Sequence, residues 1–210
     1  MTKRGVDNIL EYVEPFTFIE QIETAKLHPY TVDVEIKVKR DKGLIAFLAL
    51  TGMRISEVLR IDCSQVKVND DAQYVIVRSV QISKRWKHEW KRNSQGRKIG
   101  FVSRKRLPIK KDFPLPKTGR FSPLTKMVLD HLDNRKEGLL FDLSRYWAWK
   151  IVRRITGNWC HYFRSMRISY LVNEQKIPTV AVADMLGIED PKTISHYYKG
   201  GWKLWRTELK

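Results

Sequence analysis

Four short stretches of this 210-residue chain hold side chains suited to handling a phosphate ester. In Thr51-Gly52-Met53-Arg54-Ile55-Ser56-Glu57 an arginine follows a glycine, and a carboxylate stands one helical turn further on. A guanidinium there can grip a phosphate through two parallel hydrogen bonds while Glu57 braces it. Taken alone, the pair also reads as an ordinary i,i+3 ion pair. Arg104-Lys105-Arg106 precedes Asp112-Phe113-Pro114-Leu115. A lysine at a hairpin tip can enter a groove and protonate a leaving oxygen, and a lysine on a solvated turn is the plainer reading. His161-Tyr162-Phe163-Arg164 sets an imidazole and a guanidinium on one helix face, and Arg167 extends that basic face by a turn. Finally, Leu186-Gly187-Ile188 leads through Thr193 to Tyr197 and Tyr198. A phenol hydroxyl can attack phosphorus and be held as a covalent phosphotyrosine, with nearby cations offsetting the charge of the transition state. A tyrosine of this kind more often simply packs.

The elements that must position these residues follow from apolar spacing and breakers. Residues 1–15 are polar and mixed and read as an arm. Thr17 with Glu20 forms a capping box opening a helix to about Lys26, ended by His28-Pro29. Residues 30–42 are charged and carry no clear period. Gly43–Arg60 reads as a mostly buried helix, or two short ones split near Thr51-Gly52. Tyr74–Ile82, Lys98–Val102 and Asp112–Leu115 read as strands, the last two flanking a basic turn. Ser83–Gly96 looks like an insertion. Helices are expected over Pro123–Arg135, Ser144–Ile155 with Ser144 as cap, Trp159–Asn173, Pro178–Leu186 stopped by Gly187, and Thr193–Lys199. Gly200-Gly201 breaks the chain before a basic tail with Trp202, Leu204 and Trp205. The fold class is therefore α+β, mostly helical, with one small antiparallel sheet. Its catalytic part spans 16–199, between the arm 1–15 and the tail 200–210.

Charge points to the partner. Forty Lys and Arg against 23 Asp and Glu give a net charge of +17, too basic for an ordinary enzyme of small metabolites. From Lys84 to Lys111 there are 12 basic residues and one acid, Glu89. A polyanion is the natural partner, and a nucleic-acid backbone the commonest one. The expected DNA contacts are Lys84, Arg85, Lys87, Lys91, Arg92, Arg97, Lys98, Arg104 and Arg106, with Trp86 and Trp90 interleaved for stacking, wedging or anchorage. The competing reading is a solvated, self-repelling loop. A membrane surface is disfavoured because no amphipathic helix with a basic face is visible. The longest apolar run, Leu44–Leu50, is too short to span a bilayer, and no secretory signal follows Met1. Two distant cysteines, Cys63 and Cys160, make neither a disulfide framework nor a zinc site, so a reducing interior is expected.

Read together, the order and spacing of the four stretches resemble the tyrosine recombinase (phage integrase) family. Thr51 to Leu59 matches T-G-x-R-x-x-E-hydrophobic, His161 to Arg164 matches H-x-x-R, and Leu186 to Tyr197 matches L-G-H-(x)5-T-(x)3-Y. The resemblance covers about residues 16–199. It implies that Tyr197 is the nucleophile, that Arg54 and Arg164 clamp the non-bridging oxygens, and that His161 serves proton transfer or hydrogen bonding. Lys105 would be the general acid for the leaving 5′-hydroxyl, with Lys110 and Lys98 as fallbacks. No metal or other cofactor is implied, because cationic side chains take the place of a divalent ion. The implied partners are double-stranded DNA and three further copies of the chain, a homotetramer on two DNA sites, in the cytoplasm (of the host cell if the source is a virus). One position departs: where the family has His or Trp after Leu-Gly, this chain has Ile188, which donates no hydrogen bond. The family's N-terminal clamp domain is not seen either, so the chain is expected to be a minimal recombinase or a catalytic fragment. The long basic hairpin is reminiscent of archaeal-virus integrases, which suggests a mobile element or virus. A non-catalytic DNA-binding protein on a decayed recombinase scaffold, and a topoisomerase IB-like relaxing enzyme, are the rival readings.

Overall fold

A computed structural model describes residues 22, 33–69, 71–82, 86–105, 109–195 and 197, with only the backbone at 86–88, 104, 105 and 195. The arm 1–15, most of the helix expected over 17–26, Lys84, Arg85, Arg106, Tyr198 and the tail 200–210 lie outside the described residues. Ile22 is helical and fully buried.

Helix α1, Val34–Thr51, is the axis of the domain. It starts nine residues before Gly43, inside the stretch that shows no period in the sequence. Its first turns are exposed and held by local charge, with Lys39 and Glu35 paired at 2.6 Å across one turn. From Leu44 to Leu50 every side chain is buried, so apolar residues follow one another without an amphipathic stripe. Asp41, fully buried, accepts from Arg40 Nη2 at 2.8 Å and lies 3.7 Å from Arg154 Nη2, which ties α1 to a later helix. The break anticipated at Thr51-Gly52 is present: Gly52 adopts φ +63°, a left-handed cap, and its N–H returns to the Leu48 carbonyl. A single helical turn, α2 (Ile55–Val58), follows.

Strands β1 (Val66–Lys67), β2 (Tyr74–Gln81), β3 (Trp86–Arg92), β4 (Lys98–Lys105) and β5 (Lys110–Pro116) come next. They form an antiparallel sheet in the order β1-β2-β5 and a separate two-stranded ribbon, β3-β4. The expected strands are present but partner differently. Lys98 to Val102 lies in β4, which pairs with β3, while β5 pairs with β2. The stretch read as an insertion, Ser83–Gly96, supplies one whole strand of the ribbon. The ribbon keeps the sheet's register. Gln81 faces Lys110, Ile82 N–H donates to the Ile109 carbonyl, and Trp86 faces Lys105, five steps on along each chain. β2–β5 and β3–β4 thus pair in one common register, with equal numbers of residues between them on each chain.

Helices α3 (Ser122–Leu132), α4 (Arg145–Thr156) and α5 (Cys160–Ser169) pack around α1. Ser144 caps α4 by accepting from the Trp147 N–H. A π-helical turn, Tyr170–Glu174, continues α5 and leads to α6 (Thr179–Met185) and the short α7 (Lys192–Ser195). α6 stops at Gly187, which adopts φ +60° as its glycine predicts. The buried residues form two apolar clusters, a large one around α1 and a smaller one from Ile168 through Ile194, against which Ile188 and Tyr197 pack.

Candidate active site

Arg54 stands in the two-residue gap between the Gly52 cap and α2, which aims its side chain out of the core. Glu57, only 3% exposed, holds it twice: Oε1 accepts from Arg54 Nη1 at 2.7 Å and Oε2 from the Arg54 backbone N–H at 2.9 Å. The same Nη1 lies 3.4 Å from the Ile82 carbonyl, at the root of the ribbon. A carboxylate that binds both ends of an arginine fixes the direction in which its remaining donors point.

Arg164 comes up from α5 and is 3% exposed. Its Nη1 donates to the Gly52 carbonyl at 3.1 Å and its Nη2 to the Leu186 carbonyl at 2.7 Å. One guanidinium therefore joins the Thr-Gly-Met-Arg turn to the Leu-Gly turn. Burial first, and then the charge of Arg54, push Arg164 down to about 10, against the upward pull of Glu57 and Tyr197. It stays cationic at neutral pH. His161, one turn earlier, has one side open to solvent. Desolvation of its other side, then Arg164 and Arg54, hold it below the ordinary histidine value, so the imidazole is neutral at pH 7.

Tyr197 follows α7. Its N–H donates to the Ile194 carbonyl, its own carbonyl accepts from Asn173 Nδ2 at 2.9 Å, and its hydroxyl lies 3.3 Å from Ser165 Oγ. Arg54, His161, Arg164 and Tyr197 line one cavity of about 270 Å³, together with Ile109, Ile168, Gly187, Ile188, Glu189, Asp190 and Thr193. Ile188 thus stands in the cavity wall where the sequence pattern predicts a donor. Two carboxylates, Glu189 and Asp190, complete that wall. Sequence reasoning missed Ser165 and Asn173. Ser165 follows Arg164 directly, and only the folded arrangement brings either residue to Tyr197.

The lysine candidates separate along the hairpin. Lys105 faces Trp86 at the ribbon's inner end, four residues from cavity-lining Ile109. Lys98 faces Arg92 at the outer end, roughly 23 Å further along at ~3.3 Å per residue, with its ammonium 4.8 Å above the Trp90 ring. Lys110 sits next to Ile109, on the opposite side by strand alternation. Lys111, not foreseen in any role, pairs with Asp184 at 2.6 Å and ties β5 to α6, just ahead of the Leu-Gly turn. Of the expected DNA contacts, Lys91, Arg92, Arg97 and Lys98 lie on the outer ribbon, and Lys87 and Arg104 face each other nearer its root. Trp90 and Phe101, opposed across the ribbon and both exposed, meet edge to face at 5.7 Å. Among the described residues no cluster of three or more His, Cys, Asp or Glu could hold a metal ion, and no helix is long and apolar enough to cross a membrane.

Helices around a buried central one and a small antiparallel sheet match the catalytic-domain fold of the tyrosine recombinases. Three solved structures of similar fold are a recombinase or an integrase in complex with DNA. XerH site-specific recombinase on its difH substrate before cleavage aligns over 95% of this chain with TM-score 0.62 and 15% identity. XerH on a palindromic difH substrate after cleavage aligns over 94% with TM-score 0.64 and 15% identity. The integrase of the Tn1549 transposon, with transposon right-end DNA, aligns over 98% with TM-score 0.55 and 14% identity. The chain spans 53% and 51% of the two XerH chains and 67% of the integrase. By sequence alone, neither a family model nor a curated protein matches.

Proposed function

We propose that this chain is the catalytic part of a DNA site-specific recombinase or integrase that works through a 3′-phosphotyrosine. The observation that carries the reading is the convergence of Arg54, His161, Arg164 and Tyr197 on one cavity from three separate elements. Tyr197 Oη attacks the scissile phosphorus as the P–O5′ bond breaks. Arg54 and Arg164 offset charge on the non-bridging oxygens, and neutral His161 accepts the tyrosine proton or hydrogen-bonds the phosphate. Lys105 protonates the leaving 5′-oxygen. The phosphotyrosine retains the energy of the phosphodiester, so a free 5′-hydroxyl reverses the step and no energy-rich cofactor is needed. Direction then comes from assembly of a homotetramer on two DNA sites.

The test is a nicked suicide duplex drawn from a randomised pool, incubated with the protein and analysed on a denaturing gel. A covalent adduct is expected for the wild type and for Tyr198→Phe, and none for Tyr197→Phe. Ile188 in the cavity wall favours the rival reading of a DNA-binding protein without catalysis. Salt-sensitive DNA binding with no adduct would favour that rival, or a catalytic fragment that needs a further domain to cleave.

A further inference from the structure

Arg54 and His161 also line a second hollow, of about 260 Å³, on their other side. Its remaining walls are Ile55, Ser56, Arg145, Trp149, Trp159 and Cys160. Trp149 comes from α4 and Trp159 from the residue before α5, and each residue is 46% exposed. Both keep nearly half their surface open, although Trp159 also meets the buried Tyr162 edge to face at 5.9 Å. They belong to a larger aromatic surface: Tyr146 and Trp147 are also exposed, and the Lys150 ammonium sits 4.7 Å and 5.1 Å above their rings. The charge of the hollow differs from that of its neighbour. The catalytic cavity includes Glu189 and Asp190, whereas every ionisable group lining this hollow is an arginine, a histidine or a thiol.

We propose that this hollow receives the sugar and base of the nucleotide flanking the reactive phosphate, with the base unstacked from its neighbours and lying against Trp149 and Trp159. Resting on the reading that Arg54 and His161 contact a DNA phosphate, the inference adds where the attached nucleoside goes. A phosphate held by those two residues carries its nucleoside to one side or the other, and the acid-free side is walled by flat aromatic rings. Indole faces stack on any base, and Arg145 supplies a cation beside them.

The experiment uses the full chain with Tyr197→Phe, so that no covalent chemistry intervenes and the result does not depend on whether the chain cleaves DNA. Fluorescence anisotropy compares labelled (dT)8 with a duplex of equal length. Trp149→Ala combined with Trp159→Ala removes both rings, and a wild-type urea midpoint checks that the variant keeps its fold. The double variant is expected to weaken (dT)8 binding by about tenfold or more, in the range of base–aromatic stacking. Duplex binding should change less than about threefold, and Trp149→Phe with Trp159→Phe should restore most of the affinity for the single strand. No (dT)8 binding by the parent, no loss in the double alanine variant, or an equal loss on duplex and single strand would overturn the proposal.

Discussion

The Nη2 of Arg164 donates to the backbone carbonyl of Leu186 at 2.7 Å, and this bond joins the helix that carries the His-x-x-Arg pair to the turn that leads to the tyrosine. Leu186 belongs to the smaller apolar cluster and Gly52, the other acceptor of Arg164, caps the central helix of the larger one. A residue chosen in the sequence for phosphate chemistry is thus also a structural tie between the two halves of the core. Arg164→Lys should fail in both roles, because a single ammonium cannot serve two carbonyls as a planar fork does. Leaving one buried carbonyl unsatisfied costs about 1–3 kcal/mol. Urea denaturation should show that loss, and adduct formation should fall at least a hundredfold. A variant as stable as the wild type would refute the tie.

Gly187 is a second point where chemistry and packing meet. At φ +60° a side chain costs about 1–2 kcal/mol. A Cβ there would lie 2.7 Å from Ile82 Cδ1 and 3.2 Å from the Ile82 carbonyl oxygen, the same oxygen that Arg54 approaches. Gly187→Ala should therefore lower stability and loosen Arg54 together. Denaturation measures the first and binding of a short duplex the second. Wild-type behaviour in both would show that the contact tolerates a methyl group.

The ribbon should act through charge more than through sequence readout. Replacing Lys91, Arg92, Arg97 and Lys98 with alanine should weaken duplex binding for all sequences alike. The slope of log K against log salt should become shallower by about 0.9 for each phosphate that the variant no longer neutralises. Deleting residues 84–97 should weaken binding further. An unchanged salt slope in the fourfold variant would remove the ribbon from the DNA interface.

Acid should destabilise the fold through His131. Its ring is buried and stacked on Phe141 at 5.2 Å, and Nε2–H donates to the Leu140 carbonyl at 2.6 Å. Burial lowers its proton affinity below that of an ordinary histidine. The unfolded chain then binds the proton more readily, so its contribution to stability is complete above about pH 6.5 and is lost as pH falls through the lower native value. The urea midpoint should fall as the pH drops below about 6.5. His131→Gln, which keeps a donor for Leu140, should flatten part of that drop. His161 is shifted the same way and accounts for another part.

What the sequence revealed, and what it hid, depends on what buries each segment. Ser144, Gly52 and Gly187 mark helix ends through backbone conformation, a local property, and the structure has the ends where those residues stand. The motif arginines and the tyrosine stood out in the sequence by residue type and spacing, and the structure brings them to one cavity. Strand β3, Trp-Lys-His-Glu-Trp-Lys-Arg, was hidden because its pairing lies outside the core, where no apolar alternation is demanded. The first turns of α1 were hidden for the same reason. Ser165, Asn173 and the Trp149–Trp159 hollow needed distant elements to come together, and no spacing in the chain encodes that.

The shared register of sheet and ribbon makes this hairpin adjustable in length. Adding or removing one residue on a single strand would turn every later side chain to the wrong face. Adding or removing opposed residues in matched pairs keeps every inner pairing, including the Ile82–Ile109 step beside Arg54. The reach of the hairpin can therefore lengthen or shorten like a telescope while the cavity at its root stays the same.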